Sequence, residues 1–216
     1  MINFFDNLQD LYLQAGYVEV TDPHAMEIGV KHGENLVSLS LVDLGKMTGH
    51  VCPGVTSAFF IAKAAAKALY GTERVARENL KIAVPAYGDL SLVQSIIFDA
   101  FPAPEGVGVA NKMFFDPSLN LGEGKQKFIF KRLDTGATCS ITWDKKVAVP
   151  AEVGKNVKSY KSLKNKESVS DHEYAEWNSY INAQVERIIT SDNENMLIVN
   201  HEENYSFPDE MKFNLI

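Results

Sequence analysis

The sequence predicts an α+β protein, a mostly antiparallel sheet packed against helices and followed by a helical C-terminal extension. Three observations carry that expectation. An Ala-rich run from Val55 to Leu69 repeats its apolar residues at helical spacing and meets a stop signal at Gly71. Phe128-Ile129-Phe130 and Cys139 to Trp143 flank Asp134-Thr135-Gly136, which reads as a hairpin with a short turn. Tyr174, Trp177, Ile181, Val185, Ile188 and Ile189 form an apolar stripe at helical spacing near the C-terminus.

From the N-terminus, Phe4, Leu8, Leu11, Tyr12 and Ala15 are spaced as one face of a helix that Gly16 ends. Tyr17 to Val20 reads as a short strand, broken by Asp22-Pro23. Met26, Ile28 and Val30 alternate with polar or small residues, Gly33-Glu34-Asn35 can turn, and Leu36 to Leu44 reads as a second strand. These last two segments are expected to pair as a hairpin that leads into Gly45 and the loop beyond it. After the Ala-rich helix, Leu80 to Pro85 is strand-like. Asp89 is placed to cap a helix from Leu90 to Phe101, and Pro102 to Gly106 is a loop. Composition shifts at Pro150 to Gly154, which sets a core at 1–150 and an extension at 151–216. In the extension Ser170-Asp171-His172-Glu173 matches a capping box, and the stripe that follows must pack on the core or on a second copy of the chain.

A chain of 216 residues with 45% hydrophobic and 23% charged residues has the balance of a soluble globular protein with a full core. The N-terminal residues lack a basic segment and a long apolar run, so neither a signal peptide nor a membrane span is expected. A net charge of −7 argues against an electrostatic grip on nucleic acid. The lysines at 155, 158, 161, 164 and 166 read as a solvated face. Two cysteines, Cys52 and Cys139, are read as reduced residues of a cytoplasmic protein.

The chemistry concentrates in Gly49-His50-Val51-Cys52-Pro53-Gly54. Pro53 suits the first turn of the Ala-rich helix, which puts Cys52 near the N-cap. There the unpaired N–H groups and the positive dipole end are expected to stabilise a thiolate. A thiolate beside the His50 imidazole can bind a soft or borderline metal or act as a nucleophile. His24, in the Asp22-Pro23-His24 break, is the candidate third ligand. Three protein ligands with an open position would be a catalytic or sensing geometry, since a structural zinc site takes four. Zinc is the expected metal, with nickel or iron the alternatives. In the metal-free alternative Cys52 is a catalytic nucleophile, His50 its base, and the N–H groups after Gly54 an anion site. Cys139, between Thr138 and Ser140, reads as core packing, and the glycines at 106, 108, 122 and 124 complete no phosphate-binding pattern.

The Gly-His-Val-Cys-Pro-Gly run followed by a small-residue helix resembles the signature of the FmdE-like family, named for a component of formylmethanofuran dehydrogenase. That family often reads His-Gly-His-x-Cys-Pro-Gly at this point, and Thr48 stands where the first histidine would be. Gly88 to Gln94 and Asn111 to Gly136, including Gly124-Lys125-Gln126, loosely follow the family's second half, so the resemblance covers residues 40–145. Many relatives carry Cys-x-x-Asp-Ala-Ile-Gln where this chain has Gly88-Asp89-Leu90-Ser91-Leu92-Val93-Gln94, without that cysteine and its aspartate. Tyr87, Asp89 and Gln94 are pocket candidates by position in this region, although strand-end packing, helix capping and a solvated helix face account for them as well. The resemblance implies a metal-binding homodimer, linked to one-carbon metabolism or to molybdenum or tungsten enzymes as an accessory or metal-handling protein. A small-molecule ligand near Cys52 is a further candidate partner. Extended relatives often carry a zinc finger of paired Cys-x-x-Cys motifs, and this tail contains no cysteine.

Overall fold

The computed structural model describes residues 8–102, 112–150, 168–191, 195–202 and 204–207. Phe4 of the first helical stripe, Gly106, Gly108 and the lysines from 155 to 166 lie outside them. The chain is α+β, and its sheets are mixed. Helix α1 (Gln9–Gln14) leads to β1 (Val18–Thr21), α2 (Pro23–Glu27), β2 (Leu36–Leu39), α3 (Leu41–Thr48) and the long α4 (Pro53–Tyr70). Then come β3 (Val75–Ala76), β4 (Leu80–Val84), α5 (Asp89–Phe98), β5 (Met113–Phe115), β6 (Asn120–Gly122), β7 (Lys125–Arg132), β8 (Thr138–Asp144) and α6 (Lys145–Ala148). The C-terminal part supplies α7 (Asp171–Thr190) and β9 (Leu197–His201).

Two sheets result, β2-β1-β3 and β5-β4-β7-β8-β9, with β6 against the start of β7. The β1/β3 and β4/β5 pairs are parallel and the others antiparallel. The β7–β8 hairpin forms as expected, with Phe130 opposite Cys139 and Phe128 opposite Ile141. These four residues face α4 and α5, and Phe130 meets Phe98 edge-to-face at 5.9 Å. Ile129 points to the other face, into a smaller cluster with Ala83, Phe114 and Leu119 that Tyr205 and Phe207 cover.

The expected hairpin of residues 26–30 with 36–44 does not form. Asp22 is a helix N-cap, its carboxylate accepting the His24 N–H at 3.0 Å, with Pro23 in the first turn, so this segment is α2. Its apparent alternation buries nothing, and Ile28 is 85% exposed. Residues 41–48 are helical because Ser40 and Asp43 make a capping box: Asp43 N–H donates to Ser40 Oγ, and Ser40 N–H donates to Asp43 Oδ2 at 2.9 Å. Strand β2 pairs with β1, Leu39 opposite Val18.

The capping box at Ser170 starts α7 as expected, but only the later part of its stripe, Val185 and Ile188, is buried, while Tyr174 is exposed. Arg187 ties this helix down by donating to the carbonyls of Val147 and Ala148, both at 2.9 Å. Strand β9 then adds to β8, Trp143 opposite Leu197, so the extension completes the main sheet. Among the described residues, no helix is long and apolar enough to cross a membrane.

Candidate metal centre

The His50-Val51-Cys52 loop joins two helices, where the sequence suggested a strand-to-helix junction. Gly49 ends α3 with φ +80°, a left-handed conformation open to glycine at no steric cost. Val51 is buried and anchors the loop, and Cys52 is the extended N-cap of α4. His50 and Cys52, one residue either side of Val51, therefore reach the same side. The His50 Nδ1 lies 3.2 Å from the Thr48 carbonyl. A carbonyl only accepts, so Nδ1 carries the hydrogen and Nε2 presents its lone pair outward.

The third group comes from α5. Gly88 N–H donates to Ser91 Oγ at 3.0 Å, so the helix start is satisfied without the Asp89 side chain. Asp89, expected as the cap, instead opens the helix at its first position and sends its carboxylate toward Cys52. Its Oδ2 lies 3.4 Å from Cys52 Sγ and 3.7 Å from His50 Nε2. A ligand atom from each of the three residues lies within 4.8 Å of the others, and no other group of three or more His, Cys, Asp or Glu residues is so placed among the described residues. Around a tetrahedral zinc with bonds of about 2.0–2.3 Å, donors stand roughly 3.3–3.8 Å apart, and the two separations to Asp89 Oδ2 fall in that range. Nitrogen, thiol sulfur and carboxylate oxygen are also the donor types such an ion takes.

Gly54 makes the approach possible. A Cβ there would stand 3.3 Å from Asp89 Oδ2 and 3.4 Å from Cys52 Sγ. A buried amide holds the two helices at this distance, because Gln94 of α5 donates to the Ala58 carbonyl of α4 at 2.8 Å. Gln94 is thus neither solvated nor at the site. Tyr87 is exposed at its edge.

The thiol is not the low-pKa group that its N-cap position suggested. Burial pushes the Cys52 thiol up to about 11, and the Asp89 carboxylate adds to this against the N–H groups of Val55 and Gly54. In the metal-free protein Cys52 is a protonated thiol donating to Asp89. His24 is not part of the cluster. It sits on α2 with Nδ1 3.1 Å from Glu27 Oε2, both side chains exposed, and the third group beside His50 and Cys52 is Asp89. Cys139 is fully buried in the core, and both cysteines are free thiols. Gly122 and Gly124 form the β6–β7 turn, and Lys125 pairs with Asp144 at 3.8 Å.

The cluster opens on a cleft of about 490 Å³, lined by Pro53, Tyr87 and Leu90 on the side of α4 and α5 and by Trp143, Lys145 and Gln184 among others. No known family's sequence model matches the chain, and no curated protein matches it. The site therefore stands on its own geometry and on the loop motif.

Proposed function

We propose that this protein binds a transition metal, zinc with nickel or iron as alternatives, through Cys52, His50 and Asp89. The observation that carries the reading is the convergence of three different donor types from two helix starts on one point, at separations that suit a tetrahedral ion. The Thr48 carbonyl orients the imidazole as an outer-shell partner of a metal-bound histidine does. The His50 and Asp89 side chains are about half exposed, at 47% and 46%, so a three-ligand site there would be open to solvent. A bound zinc ion would supply Lewis acidity there and an exchangeable coordination position. Cys52 gives up its proton on binding, and Asp89 supplies the second negative charge.

The loop motif supports placing the chain with FmdE-like proteins, as an accessory or metal-handling protein of one-carbon or molybdenum/tungsten enzyme metabolism. The same reading includes a homodimer in the cytoplasm. The rival reading, a Cys52 nucleophile with His50 as base, is weaker because Asp89 sits beside the sulfur and opposes a thiolate.

Elemental mass spectrometry of untagged protein, beside Cys52→Ser, tests the proposal. Near-stoichiometric metal that is lost in the variant is expected. Absence of metal from wild type after reconstitution with zinc, nickel and iron(II) would overturn it.

A further inference from the structure

Strand β9 lies at an edge of the main sheet, with β8 on one side and no strand of the described residues on the other. Its register shows which backbone groups stay open. Glu202 N–H donates to the Thr138 carbonyl and Asp144 N–H to the Met196 carbonyl, both at 3.0 Å, in an antiparallel pair that sets Trp143 opposite Leu197. In such a ladder every second residue bonds across, so the even-numbered residues of β9 face β8. Leu197, Val199 and His201 therefore turn their N–H and C=O groups outward. Edge strands are usually blunted by a lysine, a proline or a bulge, and Leu-Ile-Val-Asn-His contains none of these.

The side chains of the same three residues line a groove of about 750 Å³ against α4. Phe60, Ala64 and Ala68, spaced four apart along the helix, give it an apolar floor. A strand added to β9 would lay every second side chain on that floor. The charge of the groove has one sign. Lys63 and Lys67 border it and no Asp or Glu of the described residues does, although the chain holds 28 acidic residues against 21 basic ones. The Lys63 ammonium is fixed by donating to the Ala15 carbonyl, while Lys67 is exposed and forms no ion pair among the described residues. Helix α4 runs beside β9 in the same direction. Ser57 Oγ lies 3.9 Å from Met196 Sδ at one end, and at the other the Leu69 carbonyl accepts from Arg132, whose backbone pairs with Ala137. The Lys67 side of the groove is thus the His201 end. A second copy paired through β9 by a two-fold axis would bring its own Lys63 and Lys67 to this face of the joined sheet, so an acidic strand is the better match.

We propose that β9 takes up an extended segment of a partner protein as an added antiparallel strand, with apolar side chains over Phe60 and Ala64 and acidic ones toward Lys63 and Lys67. Main-chain bonds to Leu197, Val199 and His201 hold the segment, and the groove selects its alternate residues. This surface uses none of the metal donors and stands apart from the metal-binding reading.

The probe is acetyl-Glu-Thr-Glu-Thr-Val-Thr-Leu-Thr-amide, labelled for anisotropy, whose glutamates, valine and leucine share one face of a strand and whose acidic end meets His201 in antiparallel pairing. On binding, amide exchange should slow at Leu197, Val199 and His201 and change little at Ile198 and Asn200, which already bond to β8. The same peptide with lysine for glutamate should bind about tenfold more weakly, and Lys67→Glu, a change at an exposed position, should narrow or reverse that preference. Methylating the valine amide nitrogen, which faces β9, should cost at least about tenfold, whereas methylating the threonine amide beside it should leave binding within about threefold. No binding up to about 1 mM, equal binding of the acidic and basic peptides, or indifference to valine methylation would overturn the proposal. Protection of the same three amides in the protein alone would give the edge to the chain itself or, where it rises with concentration, to a second copy, and would overturn it as well.

Discussion

Replacing Asp89 by Asn separates the roles of its carboxylate because it moves two measurable quantities in opposite directions. In the metal-free protein the Cys52 thiol stands at about 11 against an ordinary 9.0. At pH 8 that leaves about 0.1% thiolate where an ordinary thiol has roughly 10%, so wild-type Cys52 should alkylate on the order of 100-fold more slowly than an ordinary thiol. Burial is the larger cause and survives the substitution. The carboxylate 3.4 Å from Sγ does not, and an amide of the same shape takes its place. Removing it should therefore recover only part of the lost rate, a rise of about three- to tenfold in iodoacetamide reactivity after chelation. Zinc affinity should fall, by more than the roughly 10–100-fold that loss of an outer-shell partner costs. The fold should hold, since Asp89 contributes to α5 only the 0.3–1 kcal/mol or so of an acidic residue in a first turn. Metal-free alkylation rates and competition against a zinc chromophore read both effects. Unchanged reactivity together with unchanged zinc affinity would place the carboxylate outside the site and refute the argument.

Four further outcomes are expected. Zinc binding displaces the Cys52 proton, so between about pH 7 and 9 the apparent Kd should fall roughly tenfold per pH unit, with one proton released per ion in calorimetry across buffers. Gly54→Ala should keep the circular dichroism of the fold but weaken zinc binding, because its Cβ would stand 3.3 Å from Asp89 Oδ2 and displace that carboxylate slightly. Partial burial pushes Asp43 up, but its hydrogen bonds with Ser40 outweigh this and hold the carboxyl below the usual range. That contribution is full above the unfolded pKa near 3.9 and lost as pH falls through the lowered one. Ser40→Ala should therefore cost about 0.5–2 kcal/mol in urea melts at pH 7, and the gap from wild type should shrink below about pH 4. Phe59 is fully buried on α4, and Phe59→Ala should cost about 3–5 kcal/mol in the same melts.

What was legible in the sequence depended on local signals. The Ala-rich helix, the turn at Asp134-Thr135-Gly136 and the box at Ser170 each carry their start or stop within a few residues, and each formed where expected. Asp22-Pro23 and Ser40-Leu41-Val42-Asp43 carry signals as local, but the alternation around them suggested strands. The misreading of 41–48 has a physical source. Leu41, Val42 and Leu44 are all buried, and a short apolar run looks alike in a buried helix and a strand. The parallel β4/β5 pair and the β8/β9 pair join segments distant in sequence, so no local pattern announces them. At the site, His50 and Cys52 were legible from a six-residue motif. Asp89 lies 37 residues further on and arrives through the packing of α5 on α4, across which Gln94 bonds the Ala58 carbonyl.

That dependence on helix packing explains how the site combines order with access. Its three side chains sit at helix termini, where the backbone is already committed to a cap: Gly49 closes α3, Cys52 opens α4, and Ser91 satisfies the start of α5. The helices behind them are locked by the core, with Ala58, Phe59 and Ile61 fully buried on α4 and Val93 and Ile97 on α5. The other wall of the cleft has a different origin. Gln184 belongs to α7, which packs on α4 and α1, buries Val185 and Ile188 in the core, and bonds the Val147 and Ala148 carbonyls of α6 through Arg187. The three candidate donors therefore sit at the ends of α3, α4 and α5, and α7 supplies part of the facing wall of the cleft.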